Sequence, residues 1–70
     1  MKIEIKGEFI KLGQLLKKIG KISTGGQAKD FIERNKITIN GKKPEGRGSK
    51  IKPKDTLWIE EQVYLIVLKK

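Results

Sequence analysis

Residues 12–41 read LGQLLKKIGKISTGGQAKDFIERNKITING, and this stretch decides the fold. Leu12, Leu15, Leu16 and Ile19 recur at helical spacing, so one apolar stripe faces inward while Gln14, Lys17 and Lys18 face outward. Gly20 suits the end of that helix, because glycine adopts the left-handed conformation that closes a helix C-terminus. A second helix is expected to open at Thr24, with Gln27 three residues on completing a capping box and Ala28, Phe31 and Ile32 forming its buried stripe. Asn35 is the expected left-handed stop. The β-branched run Ile37, Thr38, Ile39 then predicts a strand that reverses at Asn40-Gly41, the strongest short turn signal in the chain.

On the N-terminal side, Lys2 to Lys6 alternate charged and apolar, the period of a half-buried strand, here expected at a sheet edge and ended by Gly7. On the C-terminal side, residues 42–54 read KKPEGRGSKIKPK. Two glycines, two prolines and no sustained apolar period predict an extended loop or irregular hairpin whose one obvious anchor is Ile51. After a Pro53-Lys54-Asp55 turn, Thr56 to Glu60 and Val63 to Leu68 read as two strands joined at Glu61 and Gln62. The order strand, helix, helix, three strands predicts a single α+β domain over residues 1–70, with two helices packed on one face of a small, mainly antiparallel sheet.

Seventy residues, 36% of them apolar, allow one modest core. The 17 Lys and Arg against 8 Asp and Glu leave a formal charge of +9, which favours a polyanionic partner. No run approaches the roughly 18 apolar residues of a membrane span, and the opening MKIEIKGEFI carries charges where a signal peptide needs an apolar run, so a soluble cytoplasmic protein without a membrane partner is expected. Cysteine and histidine are both absent, which removes disulfides and thiolate or imidazole metal sites, and with them the commonest catalytic base and soft nucleophile. With no clustered carboxylate pair in their place, the chain reads as a non-enzymatic monomer with no cofactor or metal.

The charge is unevenly spread. Between Lys11 and Lys29 stand five lysines (Lys11, Lys17, Lys18, Lys21, Lys29) and no acid; between Lys42 and Lys54 six basic residues accompany only Glu45. Gly25 and Gly26 fall in the expected first turn of the second helix, where free N–H groups and the positive end of the helix dipole attract an anion, although they also suit a tight turn between packed helices. Lys29 either reaches a phosphate or pairs with Glu33; Arg34 either does the same or pairs with Asp30. Arg47, between Gly46 and Gly48, has an unobstructed fork for phosphate or a base edge, and Lys42, Lys43, Ser49 and Lys50 can add contacts unless the loop is merely a solvated charge run. Lys17, Lys18 and Lys21 join the candidates by charge. Of the aromatic residues, Phe31 belongs to a helix stripe, and Trp58 and Tyr64 read as sheet packing, so recognition by shape and phosphate spacing fits better than base stacking. That favours structured RNA, although basic residues alone do not separate RNA from DNA, nor either from an acidic protein that the chain would grip as an adaptor.

The ordered runs LGQLLKKIG (12–20), TGGQAKDFI (24–32), ITINGKKPEGRGSKI (37–51) and PKDTL (53–57) resemble the S4 domain, named after the fourth protein of the small ribosomal subunit, and most of all its short stand-alone bacterial group called YaaA-like. In that family two helices and a following hairpin form an RNA-binding surface, found on tRNA synthetases, pseudouridine synthases and ribosomal proteins. The resemblance implies a ribosomal RNA or tRNA partner, with contacts from Thr24, Gly25, Gly26, Gln27 and Lys29 and from Lys42, Lys43, Arg47 and Lys50. It also shows two departures: Thr24-Gly25 stands where many members have Ser-Arg, and Lys54-Asp55 where they usually have Gly-Asp.

Overall fold

The computed structural model describes residues 1–69. Its elements are β1 (Lys2–Ile5), β2 (Ile10–Lys11), α1 (Leu12–Lys18), α2 (Gln27–Arg34), β3 (Ile37–Ile39), β4 (Lys50–Ile51), β5 (Thr56–Ile59) and β6 (Gln62–Leu68). Four strands form one sheet in the order β1-β6-β5-β3, in which β5 is antiparallel to both neighbours and β1 runs parallel to β6. The sheet is mainly antiparallel, and β1 lies at its edge as its alternating pattern implies.

The inner sheet face carries Ile3, Ile5, Ile37, Leu57, Ile59, Tyr64 and Ile66, all buried, and the helices cover it with Leu12, Leu15, Leu16 and Ala28. Phe31 and Ile32 pack on this core while remaining partly exposed. The outer face is uncovered: Trp58 is 44% exposed, opposite Val63 in register, so this ring is not packed as the sequence suggested. Tyr64, one pleat away, points inward and is buried.

Three boundaries differ from expectation. Helix α2 begins at Gln27, after a turn closed by the Gln27 N–H on the Thr24 carbonyl (3.2 Å) and the Ala28 N–H on the Gly25 carbonyl (3.2 Å). Half of the capping box is present: the Gln27 side-chain oxygen accepts from the Ser23 N–H (2.6 Å) and the Thr24 N–H (3.1 Å), while no side chain caps the helix in return. Asn35 is extended, at φ −118°, rather than left-handed, because its amide reaches back to the Phe31 carbonyl (2.9 Å) and ends the helix without a reversal. The β5–β6 turn falls at Glu60-Glu61, one residue early; Glu60 takes φ 53° and its carboxylate accepts from the Lys36 N–H (2.7 Å), which holds the turn against the start of β3.

Asn40-Gly41 forms the expected hairpin turn, with φ 54° and 83° at the two residues, both in the left-handed region that a type I′ turn requires. Its arms close through Ile39 and Lys42. The turn is tied to the next one, since the Asn40 amide donates to Asp55 (3.0 Å) and its carbonyl oxygen accepts from the Thr56 N–H (2.9 Å). Lys54, where the resemblance leads one to expect glycine, does take a positive φ of 81°. A left-handed non-glycine residue costs roughly 1–2 kcal/mol; Asp55, which accepts from the Lys52 N–H (2.8 Å), helps to hold it there.

Candidate nucleic-acid interface

The long basic loop is not free. Within 42–54 lies β4, which pairs with β2 in a two-stranded sheet (Ile10 opposite Ile51, Lys11 opposite Lys50) that the sequence reading missed. Two-residue strands carry no periodicity, and the only visible signal was Ile51, which is fully buried. The loop then docks on the start of α1: the Leu12 N–H donates to the Ser49 carbonyl (2.8 Å) and the Gly13 N–H to the Arg47 carbonyl (2.9 Å). These carbonyls satisfy N–H groups that a helix N-terminus otherwise leaves open, so this end of α1 offers little to a phosphate. Gly13 eases the approach, since a Cβ there would sit a tight 3.3 Å from the Arg47 Cβ and push the loop out by a few tenths of an ångström.

Ser49 has a structural job. Its hydroxyl oxygen accepts from the Glu45 N–H (2.9 Å) and the Gly46 N–H (3.2 Å), fixing the tip of the loop. Arg47, whose fork the sequence left unobstructed, is exposed but has one nitrogen engaged: Nη1 donates to the Gly25 carbonyl at 3.2 Å. This bond adds a side-chain link to the backbone bonds that already join the two basic segments at Lys11–Gly13. It ties the loop to the turn before α2 and leaves the other guanidinium donors to face outward.

Between α2, β3 and this loop runs a groove to which Gly26, Lys29, Lys43 and Arg47 contribute, all of them predicted from the sequence. Arg34 and Lys36 border it as well; Lys36 was missed because it stands alone between the helix and β3, outside both basic runs. Lys29 does not pair with Glu33: among the described residues the one ion pair is Asp30–Arg34 (2.9 Å), well exposed on both sides and worth a few tenths of a kcal/mol. The other candidates stand apart from the groove. Thr24 and Gln27 build the turn, Lys42 closes the hairpin, and Lys50 lies over the Phe9 ring at 4.7 Å. Lys17 faces out from α1, and Lys18 and Lys21 border a different depression.

Gly25 and Gly26 sit in the turn before α2 rather than in its first turn. Neither has a positive φ; Gly26 has φ −66°, ψ −21°. A Cβ at Gly25 would lie 3.9 Å from Arg47 Nη1 and one at Gly26 would lie 3.9 Å from Thr24 Oγ1, both ordinary contacts. The turn therefore does not require glycine, and the tight-turn explanation for the pair loses its physical basis. Smooth backbone is what the two glycines add: Gly26 lines the groove with Lys29 and Arg47, while Gly25 stands outside its lining and meets Arg47 through its carbonyl.

Comparison with known proteins bears on this geometry. The S4 domain family matches over residues 3–67. A Bacillus subtilis (strain 168) protein named "Probable ribosome maturation protein RlbA" is 38% identical over 58 residues, covering 83% of this chain and 82% of that protein. No solved structure matches the chain significantly. The match spans both helices, the hairpin and the whole four-stranded sheet but for the first residue of β1 and the last of β6, and on that ground the chain belongs to the S4 domain family.

Proposed function

We propose that this protein is a non-enzymatic, cytoplasmic RNA-binding module that recognises structured RNA, ribosomal RNA above all and tRNA as the alternative, through phosphate contacts. The carrying observation is the Arg47–Gly25 bond, which sets the loop and the turn before α2 side by side so that Lys29, Lys43 and Arg47 line one groove with bare glycine backbone between them. Phosphates suit it: Lys29, Lys43 and Arg47 form no ion pair among the described residues although Glu33, Glu45 and Glu60 share the groove's lining, backbone is open to close approach, and there is no cluster of exposed rings on which bases could stack. Membership of the S4 family supports RNA over DNA or an acidic protein, and the ribosome-maturation name of the relative supports ribosomal RNA. In this reading Lys29, Lys43 and Arg47 make the central contacts, Gly25 and Gly26 admit the phosphate, Thr24, Gln27 and Ser49 shape the backbone, and Lys42 and Lys50 contribute at the margin.

The test is a binding titration against a folded ribosomal RNA fragment at several salt concentrations. If about five phosphates are neutralised, log affinity falls with log salt at a slope of roughly −3.5 to −4.5. A flat response, or equal affinity for heparin, duplex DNA and the RNA fragment, would sink the proposal. A second expected result separates ligand access from folding. Gly25→Ala with Gly26→Ala leaves thermal stability unchanged or raises it by up to about 1 kcal/mol per site, since neither residue takes a positive φ, an added Cβ meets only ordinary contacts, and alanine restricts the unfolded chain. RNA affinity falls several-fold because the added methyl groups hold the backbone away; unchanged affinity would remove the glycines from the interface.

A further inference from the structure

The lysines at the end of α1 do not join the groove just described; they belong to a second depression, alongside the edge strand β1. Lys18 and Lys21 come from the end of α1 and the residues after it, Lys2 from β1, and Lys69 from the chain leaving β6, where its N–H donates to the Ile5 carbonyl (2.8 Å) and continues the parallel ladder with β1. One acid, Glu4, accompanies these four cations, and no ion pair forms among them. Ile3, Ile19 and Tyr64 contribute the apolar part of its lining. Lys21 is directed by neutral groups: its Nζ lies 3.5 Å from the Gln62 side-chain oxygen, which also accepts from the Tyr64 hydroxyl (2.7 Å). Four like charges held around one shallow depression repel each other, and an anion lying along it relieves that repulsion.

The two depressions share no lining residue. The loop docks at the N-terminal end of α1 and Lys18 sits at its C-terminal end, so the seven-residue helix, about 10 Å long, separates them. The whole domain measures 32 × 23 × 19 Å, small enough for one folded RNA to reach both. We infer that the depression formed by Lys2, Lys18, Lys21 and Lys69 is a second phosphate-binding surface, so that the domain grips two separate segments of one folded RNA. This rests on the RNA-binding function proposed above. RNA is favoured over an anionic membrane because Met1 is the one large apolar side chain exposed in the depression's lining, too little to insert into a bilayer, while Leu65, beside Lys2 in register, does not line the depression. The competing role for lysines beside an edge strand is to keep other strands from pairing with it.

The test compares the unaltered protein with Lys2→Gln/Lys69→Gln, with Lys43→Gln/Arg47→Gln, and with a charge-matched control, Lys6→Gln/Lys52→Gln, whose exposed lysines line neither depression. Each is titrated with a folded ribosomal RNA fragment across salt concentrations, and its hydroxyl-radical footprint is recorded. The unaltered protein is expected to protect two separate RNA segments. Lys2→Gln/Lys69→Gln loses one of them and its salt slope shrinks by roughly 1.4 to 1.8, while Lys43→Gln/Arg47→Gln loses the other and the control keeps both. Thermal unfolding at the same midpoint shows that the Lys2/Lys69 variant is folded. If the unaltered protein binds but protects a single segment, or if the control loses as much as Lys2→Gln/Lys69→Gln, the second surface is overturned and the first stands. If the unaltered protein does not bind the RNA at all, both fall.

Discussion

Replacing Ile51 by alanine is expected to destabilise the domain by about 2–5 kcal/mol, which for a fold whose total stability lies near the low end of roughly 5–15 kcal/mol unfolds much of the population at ambient temperature. Ile51 is fully buried, pairs with Ile10 in the β2–β4 ladder, and is the one large apolar side chain between Ile39 and Leu57. Its loss leaves a cavity under the basic loop. It also loosens the ladder that holds Ser49 and Arg47 against the first turn of α1. The expected result in denaturant titration is a lower midpoint with a nearly constant slope, since the surface exposed on unfolding hardly changes. RNA affinity measured where the variant is still folded should fall as well, because Lys43 and Arg47 are no longer held in place. A shift below about 1 kcal/mol would mean that the loop is attached by its backbone bonds alone.

Ile51 also shows what was legible in the sequence. In a run of glycine, proline and lysine one buried isoleucine stands out, so the anchor was readable while the strand that carries it was not: two residues have no period to detect. Both helices were readable from their 3.6-residue stripes, and the β3 hairpin from Asn40-Gly41, because these signals are local. The start of α2 was misplaced by two residues, with the cap at Gly26 rather than Thr24, for an equally local reason. Gln27 does return to the Thr24 N–H as a capping box implies, but Thr24-Gly25-Gly26 forms a separate turn that satisfies the same donors. The candidate site divided in the same way. Charge runs identified Lys29, Lys43 and Arg47, yet charge alone does not show which lysines share a face, so Lys18 and Lys21 were grouped with the wrong partners and Lys36 was overlooked. That sorting depends on sheet topology, above all on the parallel pairing of β1 with β6, which sets Lys2 beside Leu65 and carries the chain after β6, with Lys69, past Ile5 along the same edge; contacts between residues 60 or more positions apart leave no trace in a periodicity.

Arg47→Ala is expected to weaken binding to a structured RNA by roughly 10- to 100-fold, the range for losing one or two hydrogen bonds to a charged group. The effect should exceed that of Lys43→Ala or Lys29→Ala, because Arg47 acts twice. Its Nη1 holds the Gly25 carbonyl and thereby links the two sides of the groove, and its remaining donors, which have no partner among the described residues, are left for the proposed phosphate contact. Arg47→Lys separates the two roles. Lysine keeps the charge, so the salt slope should stay within a few tenths of the original, but a single ammonium cannot bond the Gly25 carbonyl and grip a phosphate with the geometry of a planar fork. Affinity should therefore recover only in part, to within roughly 3- to 10-fold of the unaltered protein on the same principle. Because Arg47 is exposed and bonds the turn only once, neither variant should lower stability by more than about 1 kcal/mol. Full recovery in Arg47→Lys would show that the site reads charge alone and that the bond to Gly25 has no part in forming it; a slope reduced as far as in Arg47→Ala would instead show that the lysine no longer lies along the groove.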